Sequence, residues 1–216
     1  MTERRAKRDR RNFSRGGRRR RDSTAGCVWL PRDWTPTPRC PLMIVMDATP
    51  DWRTTGQLFR NASAGRPQVI LAPNVAIHTP ESLIEWILEM SGECGNGGSY
   101  FVYGRADASA LAMSLVLREC ATTAAVALVS PTAQLASALD TARVDAEHIP
   151  VRALFAAQDP QFAIYLDAWR DTATAARRAG FDLIDIGVID GNETSRGVTE
   201  TLQFFDDVRV SEVTRT

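Results

Sequence analysis

The segment "FVYGRADASALAM", residues 101–113, carries the clearest hint of chemistry in the chain. An apolar run meets Gly104, then Arg105, Ala106, Asp107 and Ala108, and a stretch of small and apolar residues follows at helical spacing. Such a pattern turns a buried strand into a helix through a tight elbow that presents its apex side chain. A serine or cysteine at the apex is a nucleophile, small flanks let the turn form, and the next backbone N–H can hold an oxyanion. The apex here is Ala106, which has no nucleophilic atom. Moving the apex to Asp107 puts Arg105 at a flank that must be small; moving it to Ser109 puts Asp107 and Leu111 there. Other reactive side chains are scattered. Cys27, Cys40, Cys94 and Cys120 form no CxxC pair and are expected to be thiols, with Cys94 exposed in "GECGNGG". His78 and His148 stand far apart without a second ligand at helical spacing, so neither a metal site nor a cofactor site is legible.

The elements that would position the elbow are readable. Apolar, β-rich runs lie at 27–30, 42–46, 68–72, 100–103, 125–129, 151–155 and 182–189. Helical spacing covers 80–91, 107–119 and 161–179, the last closed by Gly180, and a final helix is expected over 196–208. Strands that are apolar throughout, alternating with helices, predict an α/β fold: a mostly parallel sheet with helices on both faces. Functional residues should then cluster in the loops after the strand C-termini, at 47–52, 72–74, 104–108, 130–134, 156–160 and 190–195.

The order of these features over residues 24–210 resembles the α/β-hydrolase fold, in particular its compact carboxylesterase, polyhydroxybutyrate depolymerase and phospholipase/carboxylesterase-like members, which lack a large cap domain. "CVWLPRDWTPTPRCPLMIVMDATPDW" is similar to the family's opening strands and oxyanion loop, and "YGRADASALAMSLVLRECATTAAVALVSP" to its elbow, helix and next strand. "IPVRALFAAQDP" resembles the strand that delivers the triad acid, and "AGFDLIDIGVIDGNETS" the last strand and histidine loop. The resemblance implies roles that the residues do not fill. The nucleophile position is Ala106; the base loop offers Asn192, Glu193 and Thr194 but no histidine; and the oxyanion loop reads Asp47-Ala48 before its matching Thr49-Pro50. An acid beside a developing oxyanion would raise the barrier. Only Asp159 survives at a triad position, and an Asp before a Pro at a strand end is also an ordinary turn residue. His148 precedes a strand, at the wrong edge of the sheet, while His78 follows a strand on a loop that could reach the rim of the site.

The net charge of zero conceals an asymmetry, since residues 1–22 hold 11 of the 26 basic residues but 3 of the 26 acidic ones. The expected organisation is a disordered basic arm, residues 1–23, followed by one domain, residues 24–216. Arg4, Arg5, Lys7, Arg8, Arg10, Arg11, Arg15, Arg18, Arg19, Arg20 and Arg21 are candidate contacts to nucleic acid or another polyanion, because guanidinium forks grip phosphate. "RRNF" is followed by no apolar stretch, so an export signal is not expected. No run reaches the roughly 18 apolar residues of a membrane span. The expectation is a soluble intracellular protein, cytoplasmic, nuclear or within a particle, with self-association left open.

Loss at nucleophile, base and oxyanion loop together favours an inactive hydrolase scaffold acting as a structural or interaction subunit through its arm. Two other readings compete. One is a residual carboxylesterase using Asp159 with Ser109 or a water; the other is a small-ligand module using a former acyl pocket near Trp52, Ala106 and residues 190–195.

Overall fold

The computed structural model describes residues 20–31, 34, 40–94, 99–132, 149–178 and 181–215. Their strands are β1 (Arg20–Asp22), β2 (Gly26–Trp29), β3 (Leu42–Asp47), β4 (Val69–Pro73), β5 (Tyr100–Arg105), β6 (Thr123–Val129), β7 (Pro150–Ala156) and β8 (Asp182–Ile189). They form one sheet in the order β1-β2-β4-β3-β5-β6-β7-β8. From β4 through β8 every pairing is parallel, whereas β2 runs antiparallel to both β1 and β4. The helices are α1 (Trp52–Ala62), α2 (Pro80–Glu93), α3 (Ala108–Arg118), α4 (Phe162–Arg178) and α5 (Glu193–Arg215).

Alternate side chains of the buried strands feed two apolar layers, as the two-residue period of a strand requires. One layer joins Ile44, Met46 and Val102 to Leu83 and Ile87 of α2, Met113 and Val116 of α3, and Trp169 of α4. The other joins Met43, Val45 and Phe101 to Phe59 of α1 and Val198, Leu202 and Phe205 of α5. The α/β expectation therefore holds, and both faces of the sheet are covered.

Several details differ from the sequence reading. The arm was expected to be disordered through residue 23, yet Arg20–Asp22 pair with Cys27–Trp29, so order begins inside the arginine run. Helix α1 was not anticipated, because its buried stripe, Trp52, Thr55, Gly56 and Phe59, contains only two large apolar side chains. Gly56 is required there: a Cβ would lie 2.7 Å from the Trp29 ring and 2.9 Å from Ala72 Cβ, so α1 sits almost on the sheet. The last helix starts three residues earlier than expected and is much longer. Cys94 is buried rather than exposed, at the end of α2. Residues 1–19, His148 and Gly180 lie outside the described residues, as does the helix end expected at 179.

Candidate functional site

Strand β5 ends at Arg105 and α3 begins at Ala108, leaving Ala106 and Asp107 as the turn. Ala106 has φ 52°, a left-handed conformation that costs a non-glycine residue about 1–2 kcal/mol. It is held in place: its N–H donates to the Val129 carbonyl at 3.0 Å and its carbonyl accepts from the Ser109 N–H at 3.0 Å. Gly104 permits the helix to fold straight back on the strand, since a Cβ would come within 2.8 Å of Ala112 Cβ and 2.9 Å of Ser109 Cα. The elbow is real, and its apex side chain is a methyl group. Ser109 is not a displaced nucleophile. It is fully buried in the first turn of α3, and its hydroxyl meets no partner among the described residues.

Parallel pairing of β3 with β5 sets Asp47 beside Arg105 at the ends of their strands. Asp47 is completely buried. Its Oδ1 accepts from the Thr49 N–H at 2.8 Å, and its Oδ2 accepts from Thr55 Oγ1 at 2.5 Å and from Arg105 Nη1 at 3.4 Å. The loop amide of Thr49 is thereby turned inward onto a carboxylate. The other arm of the Arg105 fork, Nη2, donates to Glu193 Oε2 at 3.1 Å. Glu193 Oε1 in turn accepts from Ser130 Oγ at 2.7 Å. Ser130, just past β6, is the second non-glycine residue with positive φ, at 45°.

One connected network therefore spans the ends of β3, β5 and β6 and the first turn of α5. Two carboxylates flank one guanidinium. Burial works against the charge on Arg105, but Glu193 and then Asp47 outweigh it and hold the guanidinium protonated beyond its ordinary range. The Tyr103 phenol beneath is pushed far upward, first by burial and then by Asp47, with Arg105 opposing. Its hydroxyl has no hydrogen-bond partner among the described residues.

The other expected residues are elsewhere or otherwise engaged. Asp159 Oδ1 caps a turn by accepting from the Gln161 N–H at 2.8 Å, its plain structural role. Asn192 Oδ1 accepts from the Ser195 N–H at 2.9 Å at the start of α5, and Thr194 is half-buried in its first turn. Ala48 is exposed. His78 does not reach the site: its Nε2 lies 3.0 Å from the Ala25 carbonyl, its Nδ1 lies 3.4 Å from Ser82 Oγ, and its ring lies against Trp86. Arg20 and Arg21 belong to β1, at the far edge of the sheet from β8, and the remaining candidate polyanion contacts lie outside the described residues. Sequence reasoning overlooked the part played by Arg105, Glu193 and Ser130 together. The available signal was a pair of opposite charges, Asp47 and Arg105, ending two apolar strands.

No family model matches the sequence, and no curated protein does. Solved structures do. A ferulic acid esterase matches at 15% identity and TM-score 0.56 over 85% of this chain and 90% of its own. Est1E from Butyrivibrio proteoclasticus matches at 10% identity and TM-score 0.62 over 90% of this chain and 100% of its own. A carboxylesterase from Mesorhizobium loti matches at 15% identity and TM-score 0.57 over 87% and 99% respectively. At such identities the likeness concerns the fold, and the chain has the α/β-hydrolase fold. No helix among the described residues is long and apolar enough to cross a membrane.

Proposed function

We propose that the chain is a catalytically silent α/β-hydrolase-fold protein, a structural or interaction subunit whose arginine-rich arm contacts nucleic acid or another polyanion. One observation carries the silent part. The elbow retains its left-handed apex while that apex is Ala106, and at the neighbouring strand ends and the start of α5 the side chains of Asp47, Arg105, Glu193 and Ser130 are bonded to one another.

Acyl transfer needs a nucleophile, a base for its proton and donors aimed at the oxyanion. Here the apex lacks an oxygen, a carboxylate already neutralised by Arg105 stands in the base loop, and the Thr49 amide is bonded to Asp47. The printed names of the similar structures are those of esterases, which keeps a residual esterase as the competing reading. Turnover of a short-chain chromogenic ester, with labelling by a serine-directed fluorophosphonate, separates the two. Labelling abolished by Ser130→Ala or Ser109→Ala would establish the esterase.

The arm reading rests on charge. Residues 1–22 carry 11 basic and 3 acidic side chains, leaving 15 basic and 23 acidic in the remainder. A dense arginine run releases counterions from a phosphate backbone, so binding should weaken steeply with salt. Binding of generic RNA is expected to disappear on deletion of residues 1–19, a cut that spares β1. Persistence of binding after that deletion would remove the arm from the proposal.

A further inference from the structure

Helix α2 carries four acidic residues, Glu81, Glu85, Glu89 and Glu93, and no basic one. Glu81, Glu85 and Glu89 are exposed, stand four residues apart in one row, and have no ion pair among the described residues. Such a row works against its own helix. Like charges repel at that spacing, and an acid toward the C-terminus meets the negative end of the helix dipole, here with no basic residue in the last turn. A cation from outside the helix would relieve both effects.

Two neighbours fix the direction in which the row faces. Trp86 lies over β2, its ring 2.7 Å from where a Cβ on Gly26 would stand. Ser82, one turn earlier, approaches His78 Nδ1 at 3.4 Å, and His78 Nε2 meets the Ala25 carbonyl at 3.0 Å. Ser82 and Trp86 thus mark the flank of α2 turned toward β2. Glu85 and Glu89, each three residues further on, lie beside that flank on its outward side. Past β2 the sheet continues only into β1 among the described residues. Trp86 is half-buried, so an indole face adjoins the carboxylates, and those two surroundings together suit a guanidinium.

The arginine run enters the fold at the same corner. Arg20 opens β1 opposite Trp29, Trp29 stands opposite Ile70 near the start of β4, and the starts of β3, β4 and β5 are in register. Helix α2 runs back from the end of β4 toward the start of β5, so its Glu89 end approaches the rim at which Arg20 enters. Upstream of that point stand Gly16-Gly17, where a chain reverses easily, and then Arg4-Arg5-Ala6-Lys7-Arg8-Asp9-Arg10-Arg11. Alternate residues of an extended chain share a side at intervals of about 6.6 Å, and helix residues four apart are separated by about 6 Å. Arg8 and Arg10 can therefore meet successive carboxylates of the row.

We propose that residues 4–11 fold back onto the outward flank of α2, their guanidinium groups pairing with Glu81, Glu85 and Glu89, and that a polyanion has to draw the arm from this seat. The competition rests on the polyanion reading of the arm; the seat itself does not. A segment tethered to the same chain has an effective concentration on the order of millimolar, which favours it over a basic partner arriving from solution. Seated in this way, the arm is screened from weak polyanions and released to dense ones.

Nuclear magnetic resonance of the isotope-labelled, nuclease-treated protein tests the seat. Amide shifts of residues 81–93 should differ between the full-length chain and one lacking residues 1–19, while those of α4 coincide. Molar salt should erase the difference, and in Glu81→Gln/Glu85→Gln/Glu89→Gln the two lengths of chain should give the same α2 signals. That variant should also bind a polyuridine oligonucleotide about threefold or more tightly at fixed low salt, because its arm is already free. Added oligonucleotide should move the α2 signals of the full-length chain to the positions seen without the arm. Coincident α2 signals in the two chains overturn the seat, as does a difference that grows with protein concentration, which assigns the arm to a neighbouring copy. Oligonucleotide that binds while the α2 signals stay in place overturns the competition. Should no oligonucleotide bind while the α2 difference persists, the seat is supported and the polyanion reading of the arm fails.

Discussion

Arg105 is a single side chain that ties its own strand β5 to β3 and α5, and its removal should be felt as structure. Arg105→Ala leaves Asp47 fully buried with two hydrogen bonds and no countercharge, and leaves Glu193 with only Ser130. Stranding one member of a buried ion pair costs about 3 kcal/mol, measurable by chemical denaturation against wild type. Ala106→Ser restores the missing oxygen but no base; turnover of a chromogenic ester is expected to stay at background. Tyr103 gives a pH signature. Its folded-state pKa lies far above the ordinary phenol value, so its contribution to stability is complete below about pH 10 and is lost as pH rises past that point, where the unfolded phenol ionises. Absorbance at alkaline pH should show the Tyr103 phenolate appearing together with unfolding, and Tyr103→Phe should flatten the decline. Because the Tyr103 hydroxyl is buried without a partner, the same substitution should be neutral or stabilising by up to about 1 kcal/mol at neutral pH.

At the scale of elements, the elbow depends on close approach. Gly104→Val would drive side-chain carbons into Ala112 and Ser109 and is expected to destabilise by roughly 1–3 kcal/mol or more, read as a lowered thermal midpoint. The parallel core was legible because β3, β5, β6 and β7 are apolar nearly throughout, and α2 and α3 carry clear helical spacing. Helix α1 escaped notice because Thr55 and Gly56 fill half its buried stripe, a choice imposed by the Trp29 ring directly beneath. Strand β1 was hidden within a charged run, where hydrogen bonding to β2 replaces apolar patterning as the source of order. The absence of a nucleophile was legible at Ala106. What replaced it was not, because Asp47, Arg105, Ser130 and Glu193 are distant in sequence and meet only through the register of three strands and the placement of α5.

At the scale of the whole molecule, β1, which carries the last two residues of the arginine run, and β8 lie at opposite edges of one sheet. The clamp beneath the elbow has a historical consequence. One substitution at Ala106 would return an oxygen, but an oxyanion site built on the Thr49 amide also requires that amide to be freed from Asp47, whose countercharge is Arg105. Removing Arg105 first leaves the fully buried Asp47 carboxylate without a countercharge, whereas Asp47 or Glu193 can each be lost with Arg105 still paired to the other. A route back that begins at Arg105 therefore passes through a less stable protein, so the order of steps matters: a carboxylate has to go before the guanidinium can.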